Sequence, residues 1–163
     1  MPVKQKKITI PFIEYSSENE LTKEFQELAK AAKKISNTAY SPYSKFKVGA
    51  AILLENGKII TGSNQENSAY PSGLCAERVA LFYANSQYPD IAIKAIAIIA
   101  FHNKNELEQP VYPCGACRQV ISESQSRQNK PIQVLFLGKK CVHYIENASY
   151  LLPLEFDKDS LNS

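Results

Sequence analysis

Apolar positions along the chain change their period several times, and each change marks an element. From Leu21 the residues Leu21, Phe25, Leu28, Ala32, Ile35 and Ala39 recur at helical spacing. Ser17, with Glu20 three residues on, has the form of a capping box, so the pattern predicts an amphipathic helix over about 18–39. Pro42 in "YSPYS" (40–44) stops it, because a proline disfavours the helical conformation of the residue before it. "KVGAAILL" (47–54) then reads as a buried strand, "ENGK" holds the Asn-Gly pair of a tight hairpin turn, and "IITGS" (59–63) is the return strand.

A polar loop over 64–74 precedes a second helix, expected from near Cys75 to about Tyr88. "IKAIAIIAF" (93–101) is a nearly continuous apolar run, the mark of a strand covered on both faces. A third helix opens in "YPCGACRQVISE" (112–123), "IQVLFLG" (132–138) is another buried strand, "KKCVHYI" (139–145) a shorter one, and "NASYLLP" (147–153) a last helical turn or two. Ahead of all these, residues 7–14 alternate loosely with Ile8, Ile10 and Phe12 on one side. Pro11 keeps that stretch off a central position, leaving an edge strand or an arm onto a neighbouring subunit. Strands alternating with helices imply an α/β fold, a three-layer α/β/α sandwich around one mixed sheet of about five strands. The expected division is an N-terminal extension over 1–19 and a single domain over 20–163, without repeats, low-complexity tracts or an interdomain linker.

Composition narrows the function. The 163 residues suffice for one self-sufficient core. The net charge is only +3, with lysines and arginines dispersed among acids, which argues against a nucleic-acid partner and for a small molecule. No segment approaches the length of a membrane span, so no membrane partner is expected. The opening "MPVKQKKITIPFIEY" ends in no small-residue cleavage site. Four cysteines in such a chain are expected as reduced thiols or metal ligands in the cytoplasm.

Two of those cysteines, Cys114 and Cys117, form C-x-x-C directly after Pro113 at a helix start. The spacing lets both sulfurs face one point, where the free N–H groups of the first turn favour thiolates. By itself C-x-x-C leaves zinc binding, redox activity and coincidence open. "CAE" at the start of another helix changes the balance. Three thiolates from two helix N-termini occupy three corners of a zinc tetrahedron and leave the fourth for water, the pattern of a catalytic site. Glu77, two residues past Cys75, approaches that water without ligating; zinc-dependent deaminases have this arrangement of cysteines and a non-ligating glutamate.

Four blocks, "YSPYSKFKVGAAIL", "GSNQENSAYPSGLCAERVAL", "PCGACRQVISE" and "LLPLEF", resemble those of the small homotetrameric cytidine deaminases, over roughly residues 20–160. The resemblance implies zinc as cofactor, held by Cys75, Cys114 and Cys117, with Glu77 as proton shuttle. It implies hydrolytic deamination of cytidine and deoxycytidine to uridine and deoxyuridine, with release of ammonia, in pyrimidine salvage. It places Asn64 and Glu66 at the ribose hydroxyls, Phe46 against the pyrimidine, the backbone of Ala76 at the base edge, Phe156 at a neighbouring subunit's site and Tyr70 near that interface. A zinc ion with three thiolates carries about one net negative charge, which hinders ionisation of its water. Arg78, next to Glu77, is therefore expected to donate to the thiolates and drain that charge.

Other readings carry less of the pattern. A structural zinc module, closed by Cys141 or a histidine, leaves Glu77 idle. A deaminase for a blasticidin-type nucleoside antibiotic shares the zinc motifs but departs from the Asn-x-Glu pair of "NQEN". Polynucleotide editing would set a phosphate against the negative charge of Glu66. Cys141 reads as an inert small hydrophobe, and His102 and His143 as solvated residues of charged segments.

Overall fold

The structure, a computed structural model, describes residues 3–128 and 130–161. Seven strands form one sheet: β1 Ile13–Tyr15, β2 Phe46–Leu54, β3 Ile59–Ser63, β4 Ile93–His102, β5 Asn105–Glu106, β6 Gln133–Leu137 and β7 Val142–Ile145. The order is β1-β7-β6-β4-β2-β3, with β5 folded back on β4. Only β4 and β6 pair in parallel, across the crossover made by one helix; the other pairs are antiparallel. Helix α1 (Lys23–Ser36) covers one face, and α2 (Ala76–Gln87) and α3 (Gly115–Gln128) cover the other.

The continuous apolar runs of β2 and β4 follow from this sandwich. On β2, Ala50, Ile52 and Leu54 pack with α2 and α3, while Ala51 and Leu53 pack with α1. On β4, Ile96 and Ile98 face one layer and Ala95, Ala97 and Ile99 the other. Alternation in side-chain direction persists, but both directions are dry, so no polar residue interrupts the run.

Two expectations change. The first helix begins at Lys23 rather than 18: Ser17 caps only a 3-10 turn, Glu18–Glu20, its side chain accepting from the Asn19 amide. Leu21 then turns extended, and Thr22 caps α1 by accepting from the Phe25 amide at 3.4 Å. Two adjacent cap residues compete for one start, and the capping-box pattern cannot choose between them. The sheet has seven strands rather than about five: of the stretch 7–14 left open as edge strand or arm only its end forms β1, at Ile13–Tyr15, and the two-residue β5 is new. A turn through Asn103 and Lys104, both at positive φ (49° and 70°), returns the chain onto β4. That backbone is the one a two-residue hairpin needs, but here it is built without glycine.

The site depends on how α2 lies on the sheet. Gly62 in β3 provides the contact: a Cβ there would stand 2.6 Å from Ala80 N and 2.7 Å from Ala76 O, both backbone atoms of α2. Only a residue without a side chain lets the first turns of α2 approach this closely. Among the described residues no helix is long and apolar enough to cross a membrane.

Replacing Gly62 with alanine is expected to push α2 outward and cost about 1–3 kcal/mol by overpacking. In a chain of this size each kcal/mol lowers Tm by roughly 2–4 °C. Thermal unfolding followed by circular dichroism checks this, and a Tm equal to wild type would refute the close-packing account.

Candidate metal centre and active site

Cys75 is the N-cap of α2, with extended backbone (φ −70°, ψ 152°) and no side-chain capping bond, so its sulfur is free to turn away from the helix. Cys114 stands just before the first residue of α3, and Cys117 is fully buried in that helix's first turn. The Cys114 and Cys117 sulfurs are 3.6 Å apart, and all three sulfurs lie within 4.8 Å of one another. A tetrahedral zinc with Zn–S of about 2.3 Å spaces its sulfurs about 3.8 Å apart, so the donor set fits that ion. All four cysteines are free thiols, and Cys141 stands in a different cluster, so it does not close this tetrahedron.

The electrostatics of the three thiols are uneven. Cys75 is held down to about 5, chiefly by the hydrogen bond it shares with the Cys117 thiol and further by Arg78. Cys117 is pushed up because it keeps the shared proton and is buried. Arg78 Nη2 points at Cys75 Sγ from 3.8 Å, while its buried Nε has no partner. A guanidinium holding one donor in reserve beside a sulfur cluster is positioned to offset negative charge there.

Glu77 is only 4% exposed. Burial raises its carboxyl pKa, and the Cys75 charge adds to this, against hydrogen bonds from its own amide and Cys117. Ala76, between the two, is fully buried.

Beside Cys75 and Arg78 lies a cavity of ≈ 570 Å³, which Asn64, Glu66 and Tyr70 also line. Its wall is the loop after β3, laced by main-chain bonds: Gln65 and Leu74 exchange both N–H···O contacts at 2.9 Å, and the Glu66 amide donates to Tyr40 O at 2.8 Å. Asn64 braces the wall with both ends of its amide, Oδ1 accepting from Val48 N at 2.7 Å and Nδ2 donating to Phe46 O at 2.9 Å. The Glu66 carboxylate accepts from the Tyr43 amide at 2.9 Å, the Ser44 amide at 3.3 Å and the Ser44 hydroxyl. The Ser44 hydroxyl above all lowers its pKa.

Phe46 and Phe156 do not line this cavity. Phe46 is half-buried beside His102, and Phe156 is 61% exposed, its carbonyl accepting from Gln119 on α3. Tyr70 is 77% exposed, its ring at 6.1 Å from that of Tyr43.

The family model "Cytidine and deoxycytidylate deaminase zinc-binding region" matches residues 22–130. The chain belongs to the cytidine and deoxycytidylate deaminase family. Its cofactor is the zinc ion for which that region is named. A cytidine deaminase of Sporosarcina psychrophila is 43% identical over 137 residues, which is 84% of this chain and 94% of the relative. One from Halalkalibacterium halodurans is 41% identical over 84% of this chain and 97% of its own. The crystal structure of a cytidine deaminase from Burkholderia pseudomallei superposes with a TM-score of 0.68 at 36% identity, covering 83% of this chain and all of that one.

Within this deaminase domain some residues that matter were not singled out from sequence. Ser44 read only as part of a helix stop, yet it grips Glu66. Lys45 beside it takes a left-handed backbone (φ 56°), the one local mark of a special turn. Arg118 ties the C-x-x-C turn down, its Nε donating to Pro113 O at 2.8 Å and its Nη1 to Leu151 O at 3.1 Å. One expectation is overturned: His143 is 8% exposed, not solvated, because β1 and Tyr112 cover it. His102 is exposed.

Removing the guanidinium leaves a more basic Cys75 sulfur, for which protons compete at higher pH. Arg78→Gln is therefore expected to lose zinc at a higher pH than wild type and to turn over more slowly. Zinc content measured along an acid titration checks it; superimposable wild-type and variant curves would count against the role.

Proposed function

We propose that the chain catalyses hydrolytic deamination of cytidine and deoxycytidine to uridine and deoxyuridine with release of ammonia, in pyrimidine salvage. The carrying observation is Glu77: a buried carboxyl of raised pKa in the first turn of the helix that Cys75 caps, beside the three converging sulfurs. A carboxyl moved towards neutrality both accepts and returns a proton readily, the requirement for a shuttle.

Cys75, Cys114 and Cys117 would hold the zinc. Bound there, it supplies a water of lowered pKa next to the ring carbon that carries the amine. Glu77 accepts one proton from the attacking water and passes it to N3 of the ring as the oxygen adds to C4. It then transfers the second proton to the exocyclic nitrogen, the C4–N bond breaks, and ammonia leaves with a uracil nucleoside behind. Asn64 and Glu66 take the sugar hydroxyls and the Ala76 backbone meets the base edge; Phe46, which stands outside the cavity wall in the single chain, would have to turn inward to pack against the pyrimidine. Arg78 offsets the thiolate charge.

The ionised Glu66 supports a nucleoside rather than a polynucleotide, since a phosphate in place of the hydroxyl would face a fixed negative charge. We infer a homotetramer, in which neighbouring subunits cover Tyr70 and Phe156; their large exposure in the single chain favours this. The cytoplasm, where thiol ligands stay reduced, is the setting that four free cysteines favour.

Glu77→Gln should retain zinc and lose about 10²–10⁴-fold in kcat for cytidine, followed by ammonia release. Wild-type turnover in that variant would sink the mechanism. Glu66→Gln should weaken kcat/KM roughly 10–100-fold, the value of one hydrogen bond to a charged group, with zinc content unchanged. Native mass spectrometry reading a monomer would remove the tetramer.

A further inference from the structure

Four polar side chains converge at the β1–β7 edge of the sheet, Cys141 and His143 buried, Glu14 and Gln109 exposed. His143 on β7 faces Glu14 on β1 as a cross-strand pair. Cys141, two residues earlier, shares the face of His143 by the alternation of an extended chain. Glu14 Oε2 lies 2.7 Å from His143 Nε2, and Cys141 Sγ lies 3.6 Å from the same nitrogen. Gln109 Oε1 stands 3.5 Å from Cys141 Sγ.

Without an ion the groups bond in pairs: Nε2 with Glu14, the Cys141 thiol with Gln109 and Nδ1 with Tyr112. Nε2 of an imidazole carries either one hydrogen or one lone pair. If Glu14 accepts the hydrogen, the buried sulfur, whose thiol donates to Gln109, faces the same nitrogen at 3.6 Å without bonding to it. A cation at the centre lets all of them contribute. The sulfur, Nε2 and the carboxylate oxygen lie within 4.8 Å of one another. A tetrahedral zinc would separate its sulfur and nitrogen donors by about 3.5 Å, and sulfur and oxygen by about 3.6 Å. The Cys141–His143 and Cys141–Gln109 spacings already match.

We propose that Cys141 Sγ, His143 Nε2 and Glu14 Oε2, with Gln109 Oε1 as fourth donor, form a second, structural zinc site. Its charges balance: thiolate and carboxylate neutralise the dication, and histidine and glutamine ligate as neutral groups. Thiolate and imidazole together select a soft or borderline ion over magnesium or calcium. Four protein donors leave no open position, which makes the site structural. Tyr112 OH, 2.6 Å from Nδ1, supplies the outer partner that orients a ligating histidine. Glu14 has to move: at 2.7 Å from Nε2 it is hydrogen-bonded rather than at the spacing of two ligands, and its side chain, 60% exposed, is free to swing. An ion here staples strand β1 and the segment 109–112 to β7; that segment runs directly into Cys114.

Equilibrium dialysis of the full chain against micromolar zinc sulfate, followed by elemental analysis, tests the site. Wild type is expected to bind about two zinc ions per chain, and Cys141→Ser and Glu14→Ala about one each, with cytidine deamination retained. Glu14 is on an exposed edge strand, so its variant decides the matter if Cys141→Ser folds poorly. One zinc per chain in wild type, or two in Glu14→Ala, would overturn the site. Deamination is read separately, so loss of activity in wild type would count against the proposed function and not against the second zinc.

Discussion

Two helix N-termini have to meet on one face of the sheet, and everything at the site rests on that meeting. Three sulfurs from two helices cannot share an ion unless α2 and α3 are held at fixed height and angle. Small residues set the height, with Gly62 beneath the backbone of α2 and Ala76 and Ala80 along its buried side. Arg118 sets the turn that begins α3. The gathered helix ends also supply partial positive charge of about +0.5 each, which offsets part of the thiolate charge before any side chain is counted. Packing and electrostatics are thus one arrangement, since the glycine that allows the approach also delivers the dipole.

Two glutamates eleven positions apart are driven in opposite directions by their surroundings. Glu77 is dry and faces a thiolate, so its proton is held more tightly than usual. Glu66 is held by a hydroxyl and two amides and stays ionised. Divergent environments of this kind separate a proton carrier from a fixed acceptor without any difference in residue type. The loop around Glu66 is already bound to its neighbours by main-chain bonds, so little ordering is left for a ligand to impose.

The layer architecture was legible because buried strands and amphipathic helices write different periods, and the chain changes period at nearly every boundary. The family was legible because "CAE" and "PCGAC" have few other uses in combination. Contacts between residues distant in sequence were hidden. The grip of Ser44 on Glu66 spans a hairpin, and no spacing rule connects them. His143 looked solvated because the neighbouring lysines suggested a wet segment; its burial depends on Glu14 and Tyr112, which only the folded chain brings there. The start of α1 was misplaced because Ser17 and Thr22 are both good caps, and the structure uses both.

Strand β1 also changes what the sheet can do to its neighbours in a crowded solution. Without it, β7 would present an outer row of unpaired N–H and C=O groups, a template on which another chain could add. With it, the edge is only three residues long and begins two residues past Pro11, which has no N–H to offer. The N-terminal segment therefore trades the border of β7, four residues long, for a three-residue one that a proline precedes. At that border a second chain would meet three residues and a proline, little on which to extend the sheet from one molecule to the next.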